Sequence, residues 1–126
     1  MKDMTDDIFF ADTYAIIEII RGNPRYAGYA DSVIITSPLN LMELYYHFLH
    51  DFDEDTAEKY FAVYSQFVMP VSDSAIKQGM HFKLSHKKEK LSYIDCVGYA
   101  LAAGLGIRFL TGDQKFKDKV NVEFAQ

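Results

Sequence analysis

The feature that most constrains the chain is a repeated alternation of short apolar or β-branched runs with longer segments of helical character. Ile8-Phe9-Phe10-Ala11 is apolar without interruption, the pattern of a strand covered on both faces. Thr13 to Arg21 follows, with Ile16, Ile17, Ile19 and Ile20, and reads as a helix stopped by Gly22-Asn23-Pro24. Pro24 to Ala30 fits a second short helix. Val33-Ile34-Ile35-Thr36 is strand-like by β-branching, and Ser37-Pro38 supplies a cap and a first-turn proline for a helix reaching about His50. Asp53 to Phe67 reads as a helix with acids at its start and Ala57, Tyr60, Phe61 and Tyr64 on one stripe. Val68 to Val71 is expected to be a short strand, with Pro70 marking a sheet edge. Ser72 or Asp73 caps a helix to about Leu84, and Ser92 to Leu105 is a small-residue helix ending at Gly106. Ile107 to Leu110 and Asn121 to Phe124 complete the strands. This order predicts an α/β domain with a mostly parallel sheet, and 126 residues fit a single domain spanning 1–126.

Composition narrows the function classes. No apolar run approaches the ~20 residues of a membrane span. The start MKDMTDDIFF has no signal-peptide stretch, so a cytoplasmic location is expected. The single cysteine, Cys96, excludes an internal disulfide and a cysteine-based zinc cage. A net charge of −5 is unlike a general nucleic-acid binder, which neutralises phosphate with Lys and Arg. An acidic chain can still act on nucleic acid if its acids are gathered in a metal site. That depends on where they fall.

Asp12 directly follows the first strand and lies at its carboxyl end. Asp113 follows the strand ending at Leu110 and lies at the same edge. Helices joining parallel strands run antiparallel to them, so their N-termini share that edge, where open α/β sheets bind ligands. Asp95 is in the first turn of the helix beginning at Ser92, and Glu43 is within two turns of Pro38. Each acid has a plainer role when taken alone. Asp12 is placed to cap a helix, Ser92-Tyr93-Ile94-Asp95 has capping-box spacing, and Gly112-Asp113 is turn chemistry. Together they pose an electrostatic problem, since two charges about 4 Å apart repel by roughly 4 kcal/mol at an effective dielectric near 20. A hard divalent cation with oxygen ligands resolves it, and Mg²⁺ suits better than zinc. His47 and His50, three apart on one helix, are expected at the surface. Asp73 follows the expected strand at Val68 to Val71 and would also reach the rim, although a helix N-cap is its readier role. Asp6 and Asp7 precede the first strand, at the opposite edge, which argues against a phospho-acceptor domain. No Gly-rich phosphate loop is present.

Taken in order, strand–Asp12-Thr13, Glu43 within Leu39-Asn40-Leu41-Met42-Glu43-Leu44, Ser92-Tyr93-Ile94-Asp95-Cys96 with Ala100 downstream, and Leu110-Thr111-Gly112-Asp113 resemble the PIN domain over essentially the whole chain. The compact length is most similar to VapC-type toxins of prokaryotic toxin–antitoxin pairs. The resemblance implies a three-layer fold with helices on both sides of the sheet. It also implies a Mg²⁺- or Mn²⁺-dependent endoribonuclease that hydrolyses RNA through Asp12, Glu43, Asp95 and Asp113 as metal-binding acids. Thr13 and Thr111 match hydroxyl positions that support such a site. Gln114-Lys115-Phe116 stands where many relatives carry a further acid, which leaves Asp118 as the nearest substitute.

Residues 77 to 90 hold the one basic concentration, and Lys83, Lys87, Lys88 and Lys90 are candidate RNA phosphate contacts. The same lysines equally make a solvated helix face, and Arg21 and Arg25 are lesser candidates. The aromatic surplus on the helices of residues 39–67 suits a homodimer surface or an antitoxin groove, both implied by the resemblance. Two alternatives stay open: a PIN-like scaffold without useful turnover, and a small metal-dependent phosphohydrolase acting on nucleotides.

Overall fold

The computed structural model describes residues 8–126, so Asp6 and Asp7 lie outside the described residues. The strands are β1 (Ile8–Ala11), β2 (Val33–Ile35), β3 (Arg108–Thr111) and β4 (Val122–Phe124), and the helices are α1 (Thr13–Arg21), α2 (Pro38–Asp51), α3 (Glu54–Tyr64), α4 (Asp73–Ser85) and α5 (Tyr93–Leu105). All strand pairs are parallel, in the order β2-β1-β3-β4. Phe10 stands opposite Ile35 on one side and Phe109 on the other.

Side-chain alternation along β1 and β3 divides the core into two layers. Phe9, Ala11 and Leu110 pack with Ala15, Ile16 and Ile17 of α1 and with Leu41, Leu44 and Phe48 of α2. Phe10 and Phe109 face the other way, onto Ala75 of α4 and Cys96, Tyr99 and Ala102 of α5. The sheet is therefore covered on both faces, which is why β1 and β2 carry no polar alternation. No helix among the described residues is long and apolar enough to cross a membrane.

Local sequence sets most element ends. Ser37, Asp53, Ser72 and Ser92 each accept a hydrogen bond from the backbone amide three residues on, so each caps a helix. Gly106 closes α5 in the left-handed region at φ 71°, and its amide and that of Ile107 both bond the carbonyl of Ala102. Ile107 thus belongs to the cap, and β3 runs one residue later than the apolar run suggests. Pro24–Tyr29 is a 3-10 turn rather than an α-helix.

Val68 to Val71 is not a strand. Thr36 donates to the Phe67 carbonyl and accepts from the Met69 amide, giving one isolated bridge to Val68. Beyond it Pro70 has no N–H to donate, while on the β2 side the chain turns into α2 at Pro38. Asp73 stands in the first turn of α4 behind its cap Ser72, exposed, and is not among the residues lining the cleft of the four acids.

Helices α4 and α5 approach closely because residue 79 is glycine. A Cβ there would stand 2.9 Å from the Cys96 carbonyl oxygen and from the Val97 Cα. Gly79→Ala is expected to cost about 1–2 kcal/mol, since overpacking against backbone falls at the upper end of the usual range, ~2–3 kcal/mol, and is offset by the ~1 kcal/mol that alanine contributes to helix propensity. A lowered urea midpoint with an unchanged slope checks it.

Candidate active site

The carboxyl ends of β1 and β3 and the N-terminal turns of α2 and α5 enclose a cleft of about 970 Å³ whose walls include Asp12, Glu43, Asp95 and Asp113. The four acids named from the sequence therefore meet in one cavity. Tyr14, Ile17, Met42, Tyr46 and Ile94 make its apolar side.

Asp12 is the most enclosed of the four, only 3% exposed. It caps α1 through Oδ1, which accepts from the Ala15 amide at 2.7 Å, and its Oδ2 accepts from the Thr111 hydroxyl at 2.5 Å. Capping and a place in the site coincide in one side chain. The Thr111 Oγ1 also accepts from the Asp113 amide at 3.0 Å, so one buried hydroxyl holds two acids in register across the sheet. Asp113 Oδ1 accepts from the Lys115 amide, closing the turn after β3. Asp95 is capped through its backbone, its amide donating to Ser92 Oγ at 3.0 Å, while its carboxyl group lines the cleft.

Glu43 is oriented by a buried relay. Ser37 Oγ donates to Asn40 Oδ1 at 2.6 Å, Asn40 Nδ2 donates to Thr13 Oγ1 at 3.1 Å, and Thr13 Oγ1 donates to Glu43 Oε1 at 2.6 Å. Each donor fixes the next. Thr13 and Thr111 are thus hydrogen-bonded to site acids, and Ser37 and Asn40 are supporting residues to which the sequence reading assigned no part in the site.

The environment disfavours charge. Burial pushes Asp12 up to about 7, against the Thr111 and Ala15 hydrogen bonds, and the charges of Asp95 and Asp113 add to the rise. Burial likewise raises Asp95 to about 6, opposed by Ser92 and Lys115 and reinforced by Glu43 and Asp113. Asp95 is the acid that feels both of the latter carboxylates. Among the described residues no three His, Cys, Asp or Glu side chains form a ready-made metal cage. The four carboxylates offer oxygen donors that suit a hard divalent ion, one that takes one or two of them directly and retains water.

His47 departs from its expected surface position. It lines the cleft one turn beyond Glu43, with Nδ1 3.4 Å from Asp51 Oδ2 and a buried, unpartnered Nε2. The i, i+4 phase that carries Glu43 into the cleft carries His47 with it. His50 is at the surface, paired with Asp51.

The expected lysines stand outside the cleft lining. Lys83 is engaged, donating to the Leu91 carbonyl and lying 4.5 Å over the Tyr93 ring. Lys87, Lys88 and Lys90 are exposed. Lys115, which the sequence reading did not select, donates to the Lys90 carbonyl and acts on Asp95. Arg21 pairs with Glu18. Asp118 is exposed and does not line the cleft.

Comparison with solved structures gives the same fold. The Sarcin-Ricin loop cleaving toxin VapC20 of Mycobacterium tuberculosis superposes with a TM-score of 0.78 at 21% identity, over 94% of this chain and 99% of that one. A chain of a toxin-antitoxin complex from Klebsiella pneumoniae gives a TM-score of 0.74 at 14% identity, over 94% and 98% respectively. A search of curated proteins finds no match. The family model for the PIN domain matches residues 9–121. With that match spanning three of the four strands and every acid of the cleft, the chain belongs to the PIN-domain family.

Proposed function

We propose that this protein is a Mg²⁺- or Mn²⁺-dependent endoribonuclease of the VapC-like toxin kind, with Asp12, Glu43, Asp95 and Asp113 as its metal-binding acids. The observation that carries the reading is the convergence of four carboxylates from distant segments in one cleft, two of them pushed toward neutrality. Such a site gains from a cation more than from any rearrangement of its own groups. The four acids would hold the ion together, one or two of them directly and the others through its retained water. When bound, the ion would activate a water and neutralise charge on the scissile phosphate. Thr111 keeps Asp12 and Asp113 in register, and Thr13 and Asn40 keep Glu43 from swinging into solvent. Lys87, Lys88 and Lys90, joined by Lys115, would contact the RNA backbone, while Lys83 holds the connector in place.

The partner reading is a protein antitoxin, supported by the toxin-antitoxin complex among the similar structures and by the exposed Tyr14, Met42 and Tyr46 beside the acids. The homodimer implied by the resemblance belongs to the same reading, and sedimentation of the purified chain tests it.

The deciding experiment is cleavage of synthetic RNA with Mg²⁺ or Mn²⁺, with and without EDTA, by the wild type and Asp95→Asn. Cleavage is expected to vanish with EDTA and to fall by roughly 10²–10³-fold in the variant, about 3–4 kcal/mol of transition-state stabilisation. Cleavage indifferent to both would end the metal-site reading. Metal-dependent phosphate release from nucleotides without RNA cleavage would make the protein a phosphohydrolase instead.

A further inference from the structure

Gly112 lies between Thr111 and Asp113 in the turn that joins two of the acids, yet its backbone does not call for glycine. It is absent from the glycines with positive φ, which are Gly22 and Gly106 among the described residues. The reason is spatial. A Cβ at position 112 would overlap the hydroxyl oxygen of Tyr26, whereas the Tyr26 ring carbon Cζ would stand at an ordinary 3.6 Å.

Tyr26 is 3% exposed, and its hydroxyl is buried with no hydrogen-bond partner. An unpaired buried hydroxyl is a cost to the fold that phenylalanine would avoid. What the oxygen supplies here is bulk under the turn. Tyr26 is also unable to retreat easily. Its amide bonds the Asn23 carbonyl at 2.9 Å, and it belongs to the buried cluster that holds Phe9, Ala11, Ala15 and Ile16. Three residues on, the Tyr29 hydroxyl donates to Glu123 Oε2 at 2.5 Å, tying the same 3-10 turn to β4.

We propose that Tyr26 is a positioning residue for the acid site, its hydroxyl oxygen being the seat on which the Thr111–Gly112–Asp113 turn rests. Because Thr111 Oγ1 bonds Asp12 above and the Asp113 amide beside it, the height of Gly112 sets how those two carboxyl groups stand to each other. The proposal rests on the reading of these acids as cation ligands, and its test separates the two.

Gly112→Ala, Tyr26→Phe and the double variant are compared with the wild type by Mn²⁺ titration, by the amide NMR signals of Thr111 and Asp113, and by thermal melting. Gly112→Ala is expected to move both amide signals and to weaken Mn²⁺ binding by about 10–100-fold, the usual scale for a residue acting through a ligand. Adding Tyr26→Phe removes the overlapping oxygen, and affinity is expected to return to within about threefold of wild type, the signature of two coupled sites. Wild-type Mn²⁺ affinity in Gly112→Ala, or a loss that Tyr26→Phe does not relieve, overturns the proposal. If no protein in the set binds Mn²⁺, the metal reading fails. The seat then stands or falls on whether the amide signals shift in Gly112→Ala and return in the double variant. Should Gly112→Ala not fold, a folded double variant supports the seat and an unfolded one refutes it.

Discussion

Asp12→Asn is expected to abolish RNA cleavage, by about 10³-fold or more, while making the metal-free protein more stable. The two effects have one origin. Asp12 rises from 3.8 to about 7 on folding, chiefly through burial, so the folded chain binds more protons than the unfolded chain between those values. Stability of the metal-free wild type therefore falls as pH rises from about 4 to about 7 and is level above. The whole shift corresponds to roughly 4 kcal/mol at most, at 1.36 kcal/mol per pH unit. Asparagine carries no charge and can still accept from the Ala15 amide. It cannot also accept from Thr111 without turning its amide nitrogen toward Ala15, so about 1 kcal/mol is returned. A net gain of about 2–3 kcal/mol is expected at pH 8, read as a higher melting temperature in EDTA, and it should disappear by about pH 4. Added Mg²⁺ should raise the wild-type melting temperature by linkage and leave the variant unmoved. A variant less stable than wild type at pH 8 in EDTA would show that Asp12 serves the fold first.

Asn40→Ala is expected to damage stability and activity together. Asn40 is fully buried, and both ends of its amide are used, accepting from Ser37 and donating to Thr13. Alanine leaves the buried Ser37 hydroxyl and the half-buried Thr13 hydroxyl without that partner, and a small void, at a cost of about 2–4 kcal/mol. The Thr13 hydroxyl, no longer held from behind, loses its fixed aim at Glu43. Cleavage is expected to fall by about 10–100-fold beyond any loss of folded protein, the range for a group that orients a ligand. Measured on the folded fraction, kcat should carry the loss. Unchanged turnover per folded molecule would mean that Glu43 does not depend on the relay.

What could be read from the residues in advance was whatever is decided locally. The apolar runs, the helix caps at Ser37 and Ser92 and the stop at Gly106 need no distant partner, and with topology they placed Asp12, Asp95 and Asp113 on the rim, while Glu43 rested most on the family resemblance. The errors came where a partner decides. Val68–Val71 has strand-like residues, but Pro70 and the turn into α2 leave one bridge where a ladder was expected. His47 looked like a surface histidine because the reading weighed its spacing to His50 and not its phase with Glu43. Lys83 looked like a free cation, yet it is spent on a carbonyl eight residues away. Asn40 was invisible as a site residue because its partner Thr13 is 27 positions distant. Tyr26 was hidden for the same reason.

The hydrogen bond between Thr111 and Asp12 joins residues 99 positions apart. An emerging chain that has reached the end of α5 already contains Asp12, Glu43 and Asp95, but it lacks both the hydroxyl that aims the first and the fourth acid altogether. Closing so long a loop is also entropically expensive and slow relative to forming the helices between. Nuclease competence, on the proposed reading, is thus withheld until β3 has been made and the central strands have met, and shortened products ending before β3 should be harmless to the cell that makes them.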